Sequence, residues 1–317
     1  MPYYPPQPDQ QPTEHPPQKR SILRRVILCV SVLLIVCGAA RLIWYGADLI
    51  SSRQTTQELR EIAAESDIPE VPAPSAAAET EIPAQTAAAA SVPPTVRPDH
   101  PSALSDKLPV AEYPNGYKLV SRIQKLRKKS KYIIGWITMD DLNEPVVHKD
   151  NTYFLTHDAT GSHNSNGAIF MDEGISLLTR PYTILLYGHN MKSGAMFGHL
   201  RKYEKYSYCS RHRVFQFDTL YEEGQYAIFA VETISLTPGK AGYLNLAEMQ
   251  SSDRKIRQKS LQALRDHSLH SVMPDVNEED QILLLITCVG DDDERLIVAA
   301  RRLRDGETAD RLMMFYE

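Results

Sequence analysis

The sequence predicts a mainly β fold for the larger, C-terminal part of the chain. Nine short apolar segments follow one another there, and turn residues bound each of them. Only two windows in this part have helical periodicity, so a closed or sandwiched β architecture is favoured over βαβ units, which need a helix after each strand. The segments are YIIGWITM, EPVVHK, GAIFMD, YTILLYG, HRVFQFD, QYAIFAVETISL, QILLLITC, RLIVAARRL and LMMFYE.

The chain begins with a segment that is too polar to fold. Residues 1–21 are rich in Pro and Gln, with almost no large aliphatic side chains to bury. Such a composition is typical of disordered tails. We therefore expect residues 1–21 to be a disordered tail.

An apolar run follows, and we interpret residues 22–45 as a transmembrane signal anchor. Val26–Ala40 carries no charge, and the run reaches spanning length at Tyr45 if Arg41 extends its guanidinium to the interface. Trp44 and Tyr45 then lie where membrane proteins concentrate aromatic residues.

Basic residues on one side of the run predict its orientation. They place the N-terminus in the cytoplasm and everything after residue 45 outside the cell membrane, by the positive-inside rule. Two alternatives remain open, namely a signal peptide cleaved near GAA and a lipoprotein signal at Cys37, and cleavage would export the domain as well. The basic residues are Lys19, Arg20, Arg24 and Arg25.

Residues 46–105 are interpreted as an extracytoplasmic stalk. Residues 46 to about 60 look helical and polar, and the rest is rich in Pro, Ala and Thr. A segment with so few large apolar side chains cannot form a core, and it would hold a domain away from the membrane.

Residues 106–317 are long enough for one domain. A helix is predicted within residues 117–132, which end in basic side chains, before the first strand. A second helical window, residues 246–268, lies between two strands. There, Met249, Ile256 and Ala263 are spaced to form one apolar stripe that docks on the strands.

Composition excludes several classes of function. The net charge is −5 and the pI is about 6.1, so nothing suggests binding to nucleic acid. Four cysteines are too few and too scattered for a disulfide framework, and no CxxC or Cys/His spacing suggests zinc. We expect no cofactor and no metal.

The most informative segment is LLLITCVGDDDERLIVAARRL. Alternation along its first strand places Ile286 and Cys288 on one face, with Cys288 at the strand end. If the two strands pair through the loop between them, Cys288 and Arg295 become neighbours. A guanidinium there would favour a thiolate, or an oxyanion formed when the thiolate attacks a carbonyl.

A second strand end carries an imidazole. In TILLYGHNM, His189 follows an apolar strand and a Tyr-Gly turn. A thiol, an imidazole and a guanidinium at three strand ends could form a site of thiol chemistry, with His189 as acid and base. Each residue alone has a plainer interpretation: a core thiol, a surface histidine and an arginine at a solvated edge. The hypothesis depends on their joint occurrence.

The stretches YGHNMKSGAMFGHL, NSNGAIFMDE and ITC…RLIVAARRL resemble the sortases, and class B sortases in particular, which are membrane-anchored cysteine transpeptidases of Gram-positive bacteria. The resemblance covers nearly all of residues 110–317, and LITC is closer to the class A form. It implies a sortase-like, eight-stranded closed β-barrel with an N-terminal helix and a long helix inserted before the strand that bears Cys288.

The resemblance also implies roles for individual residues. Cys288 matches the nucleophile that forms a thioester, and His189 matches the acid and base that serves the leaving and incoming amines. Arg295 matches the residue that binds the substrate backbone and stabilises the oxyanion. Four further positions are similar to family positions that line the substrate cleft: Asn151, Leu155, Tyr187 and Thr287.

The function implied is cleavage of a C-terminal sorting signal after Thr and transfer of the protein to a cell-wall amine. Its partners would be surface proteins carrying that signal, and a peptidoglycan precursor or pilin amine as acceptor. Three alternatives remain: a class A-like sortase of different signal specificity, a papain-like hydrolase, and a non-catalytic, stalked surface-binding domain. The papain-like alternative lacks the expected helix-borne cysteine near the start of the domain.

Other candidate sites carry weaker signals. The acidic run Asp291–Glu294 lacks the ligand spacing and turn glycine of a calcium loop, so a solvated loop is favoured. His157 and His163 alone do not indicate a metal. Cys209 has no motif around it and is expected to be a buried thiol, although a disulfide between Cys209 and Cys288 would inactivate the enzyme.

Overall fold

In the computed structural model, eight strands close into a barrel in the order β1-β2-β3-β4-β7-β8-β6-β5. The structure describes residues 19–66, 116–288 and 293–315. Residues 1–18 of the predicted tail, the Pro/Ala-rich segment after Ser66 and the centre of the acidic loop lie outside these residues, whereas residues 19–21, predicted as the end of the tail, are helical. The strands are β1 Ile133–Met139, β2 Leu142–Val147, β3 Ile169–Met171, β4 Thr183–Tyr187, β5 Val214–Thr219, β6 Gln225–Ser235, β7 Ile282–Cys288 and β8 Glu294–Arg302.

The strand pairing confirms the predicted closed, mainly β fold. β4 and β7 are parallel, with Tyr187 opposite Ile286, so both strands end at the same rim of the barrel. β7 and β8 are antiparallel, and Cys288 lies directly opposite Arg295. Strand β7 is buried along its whole length except at Cys288, which explains its nearly continuous apolar sequence.

The helix before β1 is present but shorter than the window that predicts it. α2 spans Ser121–Arg127 and buries Ile123 and Leu126 against the barrel. The basic residues after it do not extend the helix, because the chain turns at Ser130 to enter β1, and the Ile133 amide donates to the Ser130 carbonyl.

The inserted helix is also present, but the apolar stripe predicted along residues 246–268 is wrong. A short 3₁₀ turn, Glu248–Gln250, is followed by a break, and Asp253 then caps a new helix, α4, which spans Arg254–Asp266. The break resets the helical phase, so Met249 is buried while Ile256 is 38% exposed. The buried residues of α4 are Arg257, Ser260, Leu261 and Leu264.

The C-terminal segment LMMFYE, predicted as a strand, is helical over its described residues. Helix α5 spans Ala309–Phe315, and Leu312 is its buried contact. The barrel is already closed by eight strands, so it offers no free edge to a ninth. Another short helix, α3, spans Tyr206–Cys209.

A single helix, α1, spans Lys19–Ser66. Its apolar part is long enough to cross a membrane by length and composition, with a mean hydropathy of 2.7 in the best window. The chain divides into two compact units at this helix: residues 1–49 form one, and residues 50–317 form the other.

The end of α1 belongs to the barrel unit rather than to an extended stalk. Residues 46–66 fall in the segment interpreted as a stalk, but from residue 50 onward they pack on the domain. Thr56 donates a hydrogen bond of 3.0 Å to Glu144, and Arg60 forms an ion pair of 3.0 Å with the same carboxylate. Leu59 and Ala63 join the core cluster of β1 and α2.

Candidate active site

An open pocket lies at the rim where β4 and β7 end. All seven residues predicted as catalytic or cleft-lining border it, although they come from four separate parts of the chain. The closed barrel brings these parts together because β4, β7 and β8 are adjacent and end or begin at one rim. The lining residues are Asn151, Leu155, Phe170, Tyr187, Gly188, His189, Leu236, Ile286, Thr287, Cys288 and Arg295.

Cys288 is the exposed last residue of β7 and a free thiol. Its partner across the hairpin, Arg295, donates a hydrogen bond of 2.9 Å from its guanidinium to the Glu294 carbonyl. Arg295 is thus the register partner of Cys288 and borders the same pocket, and a guanidinium there can stabilise an oxyanion formed beside the thiol.

His189 is half-buried and is held by a backbone carbonyl. Its Nε2 lies 2.8 Å from the Leu155 carbonyl oxygen, in the 3₁₀ turn between β2 and β3. A carbonyl only accepts hydrogen bonds, so Nε2 carries a proton in both charge states of the ring. Nδ1 is therefore the nitrogen that can take up and release a proton.

The turn beneath His189 depends on a glycine. Gly167 has a φ of +64°, and a Cβ there would lie 3.1 Å from His189 Cδ2 and would collide with the Phe154 carbonyl. Only glycine allows both the left-handed backbone and this close approach. The turn belongs to NSNGAIFMDE, whose role the sequence alone did not reveal.

Asp172 holds two of the candidate cleft residues and was not found by sequence reasoning. Its carboxylate accepts hydrogen bonds from the Asn151 amide at 3.1 Å and from the Tyr187 hydroxyl at 3.2 Å. Burial, together with the neighbouring Asp172 carboxylate, raises the pKa of Tyr187, so its hydroxyl remains a donor. Asp172 follows β3 directly, which is the one signal that could have identified it.

Asn190 was also missed. Its side-chain amide donates a hydrogen bond of 2.8 Å to the Cys288 carbonyl, while the Thr287 hydroxyl donates one of 2.8 Å to the Gly188 carbonyl. Thr287 borders the pocket but is only 2% exposed. Its hydroxyl thus links two strand ends.

Leu236, which lines the pocket, is hydrogen-bonded to the loop between Cys288 and β8. The Leu236 amide donates to the Asp293 carbonyl at 3.1 Å, and Lys240 forms an ion pair of 2.8 Å with the Asp293 carboxylate. The hydrogen bond from Lys240 is the main cause that lowers the pKa of Asp293. Residues 289–292, the centre of the acidic run, lie outside the described residues.

The weaker candidates do not form further sites. Cys209 is buried, and desolvation raises the pKa of its thiol to about 12. Both Cys209 and Cys288 are free, so the structure does not contain the inactivating disulfide. Within residues 19–66, 116–288 and 293–315, no three His, Cys, Asp or Glu side chains cluster as metal ligands do.

A family model and individual relatives of known identity point to the same protein family. The Sortase domain family matches residues 137–303. The chain is 29% identical to Sortase B of Staphylococcus aureus over 189 residues, which cover 58% of this chain and 75% of that protein.

The chain is also similar to solved structures of sortase B. The crystal structure of sortase B from Bacillus anthracis in complex with AAEK2 is 32% identical, with a TM-score of 0.54 over 62% of this chain and 89% of that one. A Staphylococcus aureus sortase B–substrate complex is 26% identical, with a TM-score of 0.52 over 59% of this chain and 87% of that one.

Proposed function

The chain belongs to the sortase family and is most like its class B members, and from this premise we propose that it is a membrane-anchored transpeptidase that cleaves a C-terminal sorting signal after Thr. The observation that carries the proposal is the pocket in which Cys288 faces Arg295 across a hairpin while His189 borders the same space.

In the proposed first step, the Cys288 thiolate attacks the Thr carbonyl carbon of the sorting signal. The carbonyl oxygen becomes an oxyanion beside the Arg295 guanidinium, which stabilises its charge. The peptide C–N bond then breaks, and His189 donates a proton from Nδ1 to the leaving amine. A thioester between Cys288 and the Thr carbonyl remains.

In the second step, an amine of the cell wall attacks the thioester. His189, now neutral at Nδ1, takes the proton from the attacking amine, and the Cys288 thiolate leaves as the new amide forms. Water can replace the amine slowly and gives hydrolysis. Asn151, Leu155 and Tyr187 line the space beside the thiol and would bind the signal peptide.

The proposed setting is the outer face of the cell membrane. Helix α1 contains a candidate span, and basic residues precede its apolar run, which supports an N-terminus in the cytoplasm and residues 106–317 outside. The partners proposed are surface proteins with a sorting signal, and a peptidoglycan precursor or pilin amine. The segment after Ser66, as far as residue 105, would serve as a tether.

The test is a library of sorting-signal peptides, of Thr-Gly and Thr-Asn type, incubated with the full chain in detergent micelles and an acceptor amine. Mass spectrometry should find products ending at Thr and joined to the amine. Cys288→Ala should reduce product formation by more than about 10³-fold, because no other group can form the thioester. Cys37→Ala, which removes a thiol of α1, is the matched control and should retain the wild-type rate.

His189→Ala should reduce the rate of product formation nearly as much as Cys288→Ala does, because it removes the group that acts as acid and base in both steps. Wild-type rates in Cys288→Ala would refute the mechanism. A chain that binds a signal peptide but never cleaves it would support the alternative of a surface-binding domain.

A further inference from the structure

Backbone pairing between β4 and β7 stops just short of the proposed catalytic residues. The last link is a long hydrogen bond of 3.3 Å from the Gly188 amide to the Ile286 carbonyl. His189 and Cys288 come after this point, so the parallel ladder alone does not set the distance between them.

Beyond the last backbone hydrogen bond, two side chains connect the segment after β4 to the end of β7. Thr287 donates to the Gly188 carbonyl and Asn190 donates to the Cys288 carbonyl, both at 2.8 Å. Each donor is the chain neighbour of one proposed catalytic residue, and each acceptor lies on the opposite segment. The two hydrogen bonds therefore join the segments reciprocally, on either side of the pair His189 and Cys288.

The segment that carries Asn190 is itself fixed. The amides of Met191 and Phe197 both donate to the His189 carbonyl, at 3.1 and 3.0 Å, and Asn190 forms a bridge with Met196. The turn after His189 is therefore closed on itself. An amide side chain leaving such a turn can hold the Cys288 carbonyl with little freedom of its own.

We propose that Asn190 and Thr287 are positioning residues that together fix the imidazole of His189 against the thiol of Cys288. The proposal rests on the proposed function, since it assigns these side chains a role in the same reaction. This role does not require contact with the substrate: Thr287 borders the pocket but is only 2% exposed, and its hydroxyl is engaged by the Gly188 carbonyl. Displacements of about 1 Å in such a pair can cost about 10²-fold in rate.

Two pairs of variants test the proposal in the full chain in detergent micelles. Thr287→Val keeps the shape but removes the hydroxyl, whereas Thr287→Ser keeps the hydroxyl and should rescue most of the rate. Asn190→Asp keeps the size but replaces the donor with an acceptor, and Asn190→Ala removes it. We expect Thr287→Val and Asn190→Asp to lower kcat by about 10-fold or more, with KM within about twofold of wild type.

A second readout does not need a sorting signal. The rate of alkylation of Cys288 by iodoacetamide, measured against pH, reports how the thiol and the imidazole interact. The pH profiles of Thr287→Val and Asn190→Asp should shift towards that of His189→Ala. In the His189→Ala background, the same substitutions should change the profile no further, because the partner that they position is gone.

Three results would overturn the proposal: kcat within twofold of wild type in both variants, a Thr287→Ser rate as low as that of Thr287→Val, or a rise in KM without loss of kcat. Failure of the proposed function looks different. A wild-type chain that forms no product from any peptide contradicts that function, while the alkylation profiles still decide whether Asn190 and Thr287 position His189.

Discussion

At the scale of single residues, the Leu155 carbonyl decides which nitrogen of His189 exchanges protons. Because that carbonyl accepts from Nε2, the neutral imidazole is protonated there, and Nδ1 is the nitrogen available for the proposed role of base. The same contact fixes the orientation of the ring without using a carboxylate. A backbone partner has no charge of its own, so it can hold the ring in both protonation states.

Glu232 is a buried residue whose ionisation opposes folding. It lies on β6, where its register partner on β8 is Ile297. Ile297 is in turn paired with Ile286 of β7, which lines the pocket. Glu232 is only 3% exposed. It forms no hydrogen bond or ion pair with any residue in the described part of the chain. Desolvation raises its pKa from 4.5 to about 8.

This shift predicts a pH-dependent stability. Between pH 4.5 and about 8, the folded state keeps a proton on Glu232 that the unfolded state releases, so stability is fully present below pH 4.5 and declines as the pH rises through 8. Glu232→Gln should remove this decline and stabilise the domain by up to a few kcal/mol at pH 8, since one pKa unit is worth about 1.4 kcal/mol.

The measurement is urea unfolding of residues 50–317 at several pH values. Glu222 provides the matched control, because it is equally buried but paired with Arg180 and Arg302. Glu222→Gln should lower stability at neutral pH, because it leaves two half-buried guanidinium groups without their buried carboxylate. The prediction would be contradicted if the Glu232→Gln variant had the same free energy of unfolding as wild type at every pH.

At the scale of elements, the end of α1 behaves as part of the catalytic domain. Its buried positions, Ser52, Thr56, Leu59 and Ala63, recur at helical spacing on one face. Small residues on this face allow close approach to the barrel, and Glu144 accepts from Thr56 and Arg60 at once. Desolvation raises the pKa of Glu144 although these partners oppose the shift.

We therefore expect Leu59→Ala to destabilise the domain by about 2–5 kcal/mol, as for other buried leucines. Arg53→Ala, on the exposed face of the same helix, should leave stability nearly unchanged. Thermal and urea unfolding of residues 50–317 measure both variants. Equal stability of the two would mean that this segment is a tether without contacts to the barrel.

At the scale of the whole molecule, α1 joins two units of different character. Its N-terminal part is apolar and exposed, whereas its last turns have one face buried against the barrel unit. Large exposed apolar side chains on all faces of a helix are costly in water and are stable in a lipid bilayer. The two parts of the helix therefore present different surfaces, one apolar and exposed and the other packed on the barrel.

This division predicts membrane attachment with a defined orientation. The full chain should remain in the membrane fraction after a carbonate wash, whereas a chain that begins at Ile50 should be released. Alkaline phosphatase fused after Ser66 should be active in cells, because it would lie outside the cytoplasm. Release of the full chain by carbonate, or an inactive fusion, would contradict the anchor or its orientation.

The eight barrel strands and the rim residues were predictable because the signals that specify them are local, whereas the ninth predicted strand, LMMFYE, is helical over its described residues. Alternation and the turn residues around β7 placed Cys288 at a strand end, and the short connection to β8 placed Arg295 opposite it. The helix within residues 246–268 was predictable, but its buried face was not. A cap at Asp253 restarts the helix, and the sequence pattern does not show the change of phase.

The sequence by itself determined the β-barrel class, the family resemblance and the three side chains proposed for the chemistry. Only the tertiary structure decided what holds them in place: the Leu155 carbonyl behind His189, the Asn190 amide on the Cys288 carbonyl, and Asp172 between two cleft residues. Asn190 and Cys288 are 98 positions apart in the chain. Strand periodicity depends on the residue types of neighbouring positions and can be recognised in the sequence. Every residue has a backbone carbonyl, so the type of a residue does not show whether its carbonyl accepts a hydrogen bond from a distant side chain.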